Sequence, residues 1–354
     1  MTQRPAPPPL SVIIPAYNRP DDLATLLASL EPEFHRVETV VVDDASPDAA
    51  AYEDLQRRFP CVRFLRQDRN RGPAAARNRG AQAATSDLLL FLDSDTAVCP
   101  GIIDAVLRIF RDHPTFVACG GTSDKQPLNG GFFPKYKALV CWSWVADRAG
   151  RITYVGHVGG RAFAVRRSTM LELGGFNENL ATPDIEDYEF GYRLRKAHGP
   201  IPFSTDIRVH HRFGTALNQG RLYFRRVAMW LDLRSQSPGP DDVGTTSREA
   251  FVAMAATGMT LTLLVALLHP AMVWAAGALA LTTAWLGRGF LRLCLREYGV
   301  RFMAAAFACH TFLAWFICAG ATLALSRTAW QRLRSMVTDW RNRIPLETEH
   351  ATGG

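Results

Sequence analysis

Asp87-Leu88-Leu89-Leu90-Phe91-Leu92-Asp93-Ser94-Asp95 is the stretch from which the rest of the chain can be read. Five apolar residues run unbroken from Leu88 to Leu92. A run that short fits a strand buried on both faces, as in a parallel sheet. It ends in two carboxylates with one residue between them. Extended geometry puts Asp93 and Asp95 on the same side, and open α/β sheets bind ligands at the carboxyl ends of their strands. Hard divalent cations take oxygen ligands, and a metal held there could bridge to substrate phosphates. Taken alone, Asp-Ser-Asp reads first as a solvated turn. The surrounding chain changes that.

Outward from this run the pattern repeats. Ser11-Val12-Ile13-Ile14-Pro15 is a short strand, followed by the loop Ala16-Tyr17-Asn18-Arg19-Pro20. Asp21 or Asp22 is placed to cap a helix carrying Leu23, Leu26, Leu27 and Leu30 at helical spacing. Thr39-Val40-Val41-Val42 is a second strand ending at Asp43-Asp44-Ala45-Ser46, and a helix with Tyr52, Leu55 and Phe59 follows. Val62-Arg63-Phe64-Leu65 is a third strand. After the turn Arg69-Asn70-Arg71-Gly72, an Ala-rich helix runs from Pro73 to Ala84. The order β-α-β-α-β-α-β, with polar residues just after each strand, predicts a doubly wound, mostly parallel sheet with a ligand edge.

Composition narrows the function. The chain has 354 residues and a net charge of +7, enough for one large domain and an appendage. Such a balance suits nucleic acid, anionic lipid or a phosphate-bearing substrate. No helix-turn-helix, finger or RNA-recognition signature is present, so nucleic acid is the weakest of the three. The seven Cys are scattered with no Cys-x-x-Cys pair, which argues against a zinc site and a disulfide framework and fits a reducing compartment. Met1 to Pro9 is polar and Pro-rich, expected to be disordered, and lacks the apolar core of a signal peptide. The domain after it is expected in the cytoplasm.

Four motifs now stand in order: Ser11 to Asn18, Val41-Val42-Asp43-Asp44-Ala45-Ser46, Asn70-Arg71-Gly72 with Ala76-Arg77-Asn78, and Asp93-Ser94-Asp95. Together they resemble the nucleotide-binding half of family 2 glycosyltransferases, which have the GT-A fold. The resemblance continues through Gly159 to Arg167, Leu173-Gly174-Gly175-Phe176-Asn177-Glu178, and Ile185-Glu186-Asp187-Tyr188-Glu189-Phe190 with Arg193. It covers about Leu10 to Phe213. The implied layout is a catalytic domain over 10–235, split into a nucleotide-binding half (10–98) and an acceptor half (99–235).

The resemblance implies roles for single residues. Pro15, Ala16 and Tyr17 line the base and ribose site. Asp43 or Asp44 reads the nucleobase, with Asp43 favoured and Asp44 helping the ribose or the loop; the local alternative for the pair is capping of the next helix. Arg77 approaches the base or diphosphate. Asp93 touches the ribose or the metal, next to Ser94, and Asp95 binds Mg²⁺ or Mn²⁺ directly, which neutralises charge on the departing diphosphate. His211, in Arg208-Val209-His210-His211, is the other metal candidate. Asp187 is the candidate general base, and its local alternative is an acidic residue favoured at a helix start. Glu186 supports the loop or the acceptor. Phe176, after a Gly-Gly turn, falls near the sugar. Glu189 and Arg193, four apart, look like a structural pair. The Gln-x-x-Arg-Trp motif of processive polysaccharide synthases is not matched by Gln219-Gly220-Arg221-Leu222, and Arg225-Arg226 with Trp230 is only a loose echo, which favours addition of one sugar.

After the linker 236–249, the region 250–326 holds three apolar segments: 250–268, 270–286 and 303–325. The first is long enough to cross a bilayer, the second slightly short. Trp274, Trp285 and Trp315 suit interfaces. Arg288, Arg292, Arg296 and Arg301 place the following linker in the cytoplasm. The basic tail 327–354 asks for the same side, which conflicts with a third crossing. Arg225 and Arg226 are placed for lipid phosphate at the surface. The sequence therefore points to an integral membrane enzyme with a cytoplasmic catalytic domain, moving one sugar from a UDP- or GDP-linked donor to a lipid-linked or membrane-proximal glycan acceptor. A polyprenyl-phosphate glycosyltransferase of the dolichol-phosphate-mannose synthase type is the alternative, and a non-catalytic nucleotide-sugar-binding scaffold the alternative of another class. A nicotinamide-dependent oxidoreductase is remote, because no Gly-x-Gly-x-x-Gly follows the first strand.

Overall fold

A computed structural model describes residues 9–180, 185–236 and 247–343. The N-terminal segment, most of the 236–249 linker and the end of the basic tail lie outside the described residues. The first half follows the expected order: β1 (Ser11–Ala16), α1 (Pro20–Leu30), β2 (Glu38–Asp43), α2 (Ala49–Arg58), β3 (Arg63–Arg66), α3 (Pro73–Ala83) and β4 (Leu88–Leu92). These strands pair in parallel in the order β3-β2-β1-β4. All five residues of β4 are buried, because helices cover both faces of the sheet. The register sets Ala16 beside Asp43 and Asp43 beside Arg66, which aligns the polar strand ends along one edge.

Two local expectations change. α1 begins at Pro20 with Arg19 at the cap position and no side-chain cap; Asp21 and Asp22 sit in its first turn instead. Proline at the helix start loses nothing, because its missing N–H has no intrahelical partner there. Asp93-Ser94-Asp95 is a turn rather than extended chain. The Asp93 carbonyl accepts the Thr96 N–H at 3.2 Å and its hydroxyl at 2.7 Å, which folds the segment into the next strand.

That strand, β5 (Thr96–Val98), opens the second half: α4 (Ile102–Asp112), β6 (Ala118–Ser123), α5 (Phe132–Ser143), β7 (Thr153–Val155), β8 (Ala162–Arg166), α6 (Arg167–Glu172), α7 (Glu186–His198) and β9 (Ile201–His211). β8 runs antiparallel between β4 and β6, and β9 pairs parallel with β6 and antiparallel with β5 and β7. The sheet is therefore mixed rather than mostly parallel. The antiparallel insertion of β8 brings the loop before Ala162 to the edge where β4 ends, and β9 delivers His211 opposite Thr96.

Four helices follow: α8 (Ala216–Gln236), α9 (Ser247–Ala266), α10 (Met272–Leu286) and α11 (Arg288–Arg343), the last broken at Gly299, whose φ of 83° is left-handed. By length and composition, Ser247–Ala266 and Arg288–Arg327 are long and apolar enough to cross a bilayer. α10 has 15 residues, about 22 Å, against a hydrocarbon core of about 30 Å. α9 and α10 form a hairpin whose tip is exposed and apolar, with Leu267 and Leu268 each 81% accessible and Trp274 82%.

The third apolar segment does not stand apart from the sheet and its helices. Phe302 packs on Phe132, and His310 meets the Tyr136 hydroxyl at 3.0 Å, both partners lying on α5. Farther along, α11 crosses α8 at two small residues. A Cβ on Gly220 would lie 2.7 Å from the Phe316 ring, and one on Gly320 would lie 2.5 Å from the Phe224 carbonyl. The second neighbour is backbone and cannot swing away. Gly320→Leu is expected to force the helices apart and to destabilise by about 1–3 kcal/mol, the usual range for overpacking. Leu323→Ala, at an exposed site on the same helix, is expected to stay within about 0.5 kcal/mol. Melting temperatures of the two variants in detergent check this; equal loss from both would remove the tight crossing.

Candidate active site

The site grows from Arg77 on α3. Its guanidinium is 4% exposed and forks between two elements far apart in sequence. Nη2 donates to Asp93 Oδ1 at 2.7 Å, at the end of β4. Nη1 donates to Glu186 Oε1 at 2.6 Å, at the start of α7. The guanidinium carbon lies 5.3 Å from the centre of the Phe176 ring. Burial works against the charge of Arg77, yet Asp93 and Glu186 hold its pKa above the ordinary arginine value. Burial also raises the pKa of Glu186, and Arg77 offsets part of that rise.

The next residue, Asn78, pins the Gly-Gly turn. Its side-chain amide donates to the Phe176 carbonyl (2.9 Å) and to Glu178 (2.8 Å), and its oxygen accepts the Phe176 N–H (2.8 Å). Arg193 holds the same turn from the other side. It bonds to Glu189, as the i,i+4 spacing suggested, and also donates to the carbonyls of Leu173 and Gly175. The turn presses Phe176 inward. Its ring meets Phe91 at 5.4 Å and Phe190 at 4.7 Å. Expected near the sugar, Phe176 is instead a 3% exposed core residue that supports Arg77 from below.

Asp95 sits across from Arg77 on the same turn as Asp93. One oxygen accepts from Arg19 Nη1 at 2.8 Å and the other lies 3.3 Å from His211 Nε2. Burial pushes its pKa up, but His211, Arg19 and Arg161 overcome this and lower it to about 2. Among the described residues, Asp93, Asp95 and His211 form a group whose ligand atoms lie within 4.8 Å of one another. The donor set fits a divalent cation: two carboxylates and an imidazole, with His211 Nδ1 buried and lacking a hydrogen-bond partner.

Asp187 opens α7. Its Oδ2 accepts the Gly160 N–H at 2.8 Å and its Oδ1 accepts the Tyr188 N–H at 2.9 Å. Gly160 is the junction of the site. A Cβ there would lie 2.7 Å from Arg77 Nη2 and 3.4 Å from Asp93 Oδ1. Only a residue without a side chain lets Asp187 bond the backbone so close to the Arg77–Asp93 pair. Arg161, the next residue, stacks 5.8 Å from the Phe213 ring; burial works against its charge, but Cys141, Asp93, Tyr188 and Asp95 together hold its pKa above the ordinary value.

The first two loops complete the edge. Pro15 and Ala16 are buried within β1, while Tyr17 is 43% exposed. Asp43 is buried, pairs with Arg66 and accepts the Ser46 N–H at 2.9 Å. Asp44 is also buried, and it accepts from Gln67 (2.6 Å) and from the backbone of Arg71 (2.8 Å) and Gly72 (2.7 Å). Of the pair, Asp44 thus serves the loop leading into α3; burial raises its pKa while these donors oppose the rise. Ser94 is buried in the Asp93–Asp95 turn. Arg225 and Arg226 lie on α8, in the helical layer against α11 rather than on the strand ends that form the cleft.

Sequence reasoning quoted Asn78, Gly160 and Arg161 within motifs but gave them no role, and it gave none to Arg19. The doubled glycine before Arg161 was the available signal for Gly160: a backbone kept bare beside a charged group marks close approach. The roles of Arg19 and Asn78 carried no local signal, because both act on residues distant in sequence.

Replacing Arg77 leaves Glu186 buried without its partner. Arg77→Met is expected to cost about 3–5 kcal/mol. Arg77→Lys should recover little of it, since an ammonium does not present two parallel donors. Adding Glu186→Gln to Arg77→Met should restore part of the loss. Thermal melting of the three variants checks the order; an unchanged melting temperature for Arg77→Met would contradict it.

Known proteins share this architecture. Residues 11–173 match the family model of glycosyl transferase family 2. An uncharacterized glycosyltransferase of Haemophilus influenzae is 29% identical over 196 residues, 55% of this chain and 64% of that protein. A pre-mycofactocin glycosyltransferase of Mycobacterium tuberculosis is 28% identical over 211 residues, 59% of this chain and 43% of that protein. The chain thus spans less than two thirds of the length of these curated relatives. Among solved structures, a mannosyltransferase from Pyrobaculum calidifontis, in complex with GDP-Man and Mn2+, shares the fold with a TM-score of 0.54 at 17% identity, over 91% of each chain. Over residues 11–173, just under half of its length, the chain thus carries the sequence pattern of glycosyl transferase family 2.

Proposed function

We propose that the chain is a metal-dependent, inverting glycosyltransferase that adds one sugar from a UDP- or GDP-linked donor to a lipid-linked or membrane-proximal acceptor, in cell-envelope glycan or glycolipid synthesis. The observation that carries this reading is the junction at Gly160, where Asp187 meets the Arg77–Asp93 pair beside Asp95 and His211. A sugar transferase needs these two functions side by side: a cradle for the diphosphate and a base for the acceptor.

Asp95, Asp93 and His211 would hold Mg²⁺ or Mn²⁺, which supplies Lewis-acid stabilisation of the departing diphosphate. Arg19 now bonds to Asp95 and is half exposed, so it is free to turn toward the diphosphate when the carboxylate takes another partner. Arg161 adds fixed positive charge on the same side. Tyr17 and Asp43 frame the base and ribose. Asp187 takes the proton of an acceptor hydroxyl that attacks the anomeric carbon opposite the diphosphate.

A second reading follows from one detail. Both oxygens of Asp187 already accept backbone N–H bonds. A phosphate-bearing lipid acceptor is ionised and needs no base, so a polyprenyl-phosphate transferase places less demand on Asp187. The product separates the two readings: a sugar on a lipid phosphate is released by mild acid, and a glycoside is not.

The domain division at about residue 235 and a membrane-bound, cytoplasm-facing enzyme belong to this proposal. The α9–α10 hairpin supplies the insertion. In this proposal α11, which lies against α5 and α8 up to Gly320, stays with the catalytic domain, an arrangement that would leave the basic tail on the cytoplasmic side.

A donor panel on purified protein with Mn²⁺ or Mg²⁺, read as released nucleoside diphosphate, tests the proposal. The GDP-Man and Mn2+ bound by the Pyrobaculum neighbour put GDP-mannose first on that panel. Release from one donor should be abolished by chelator and by Asp95→Ala, and cut about 10²–10⁴-fold with a hydroxyl acceptor by Asp187→Asn. Binding of nucleoside diphosphate without turnover of any donor, acceptor lipids included, would contradict catalysis and leave the scaffold reading.

A further inference from the structure

A cavity of about 700 Å³ opens at the base of the α9–α10 hairpin, on the side of α5 that faces α11. It is not the catalytic cleft. α5 separates the two: Cys141 on one side of that helix contacts Arg161, while Val140, Ser143 and Trp144 line the cavity. Four arginines converge on it from three separate parts of the fold. Arg148 comes from the segment after α5, Arg248 from the start of α9, and Arg292 and Arg296 from α11 before the break at Gly299. Two carboxylates, Asp147 and Glu249, share the lining, so the cavity keeps a surplus of two positive charges. Arg248 and Arg292 and Arg296 are exposed at its mouth. The remaining wall is largely apolar, with Phe290 and Phe307 among its residues.

Its position selects the ligand. From Arg248 to the end of α9 the helix rises about 27 Å, close to the thickness of a hydrocarbon core. The apolar tip with Leu267, Leu268 and Trp274 lies at the far end. Trp285, 66% exposed, marks the basal end, with the Arg288 guanidinium 4.4 Å from its ring. A hairpin inserted tip-first therefore sets the arginine cavity at headgroup depth. Guanidinium groups match phosphate by paired donors and remain charged at any physiological pH.

We propose that this cavity binds the phosphate headgroup of an anionic membrane lipid, with the acyl chains along the exposed hairpin. It is a docking site distinct from the acceptor site and from the lipid-phosphate role expected of Arg225 and Arg226. It rests on the membrane reading of the hairpin and not on the sugar-transfer reading, so the two can fail separately.

The test uses the full chain in dodecyl maltoside micelles and follows its melting temperature. Dioleoyl phosphatidylglycerol at about ten times its dissociation constant should raise the melting temperature by roughly 2 °C. Dioleoyl phosphatidylcholine and inorganic phosphate should not. Arg292→Gln/Arg296→Gln should lose the increment while keeping the basal melting temperature and the rate of donor turnover. Arg225→Gln/Arg226→Gln should keep the increment. Four results would each overturn the site: equal stabilisation by both lipids, equal stabilisation by inorganic phosphate, an increment that survives in Arg292→Gln/Arg296→Gln, or its loss only in Arg225→Gln/Arg226→Gln. Should Arg292→Gln/Arg296→Gln melt early without lipid, Arg292→Lys/Arg296→Lys decides: a reduced but measurable increment supports the site, and an increment as large as that of the unchanged chain contradicts it.

Discussion

A buried guanidinium is tolerable only when its charge is met, and Arg77 is met twice. Asp93 belongs to the strand edge that would hold the donor, and Glu186 belongs to the helix that presents Asp187. Glu186 cannot be left alone in that interior without a large penalty, and the half-buried Asp93 ties the same guanidinium to the strand end, so α3, β4 and α7 are fixed to one another by electrostatics as well as by packing. The Phe176 ring beneath the guanidinium and the bare backbone of Gly160 beside it shape the pocket in which the fork sits. The two halves of the fold meet at this residue. Removing it would disturb the donor edge and the acceptor helix together.

The same constraint explains what the chain revealed in advance. Strands and helices of the first half were legible because each is a local pattern: an apolar run, a Gly or Pro stop, and polar residues at the strand end. Asp44, Arg77, Asp93, Asp95, Asp187 and His211 could be picked out from motifs. Their partners could not. Arg77 and Glu186 are 109 positions apart and Arg19 and Asp95 are 76 apart, and no local spacing encodes such a contact. The antiparallel placement of β8 was invisible for the same reason, since Ala162 to Arg166 reads as a strand whichever neighbour it takes. Phe176 shows the opposite error. An aromatic after a Gly-Gly turn suggested a surface for a sugar, but Asn78 and Arg193 pull that turn inward and bury the ring.

The carboxyl-terminal helices show what a hydropathy count leaves out. Residues 303–325 are apolar enough to cross a bilayer, and one side of them also packs on α5, α8 and α9. Composition reports that a helix avoids water, not what it packs against. At the hairpin tip, Leu267, Leu268 and Trp274 are the most exposed large apolar side chains among the described residues.

On the proposed function, Asp93, Asp95 and His211 would hold the metal of the donor cleft. Anomalous diffraction from crystals grown with Mn²⁺ and a nucleoside diphosphate tests it most directly. A manganese peak within coordination distance of Asp95 and His211 is the expected result. A manganese peak elsewhere, or a bound nucleoside diphosphate with no metal beside Asp95, would contradict it.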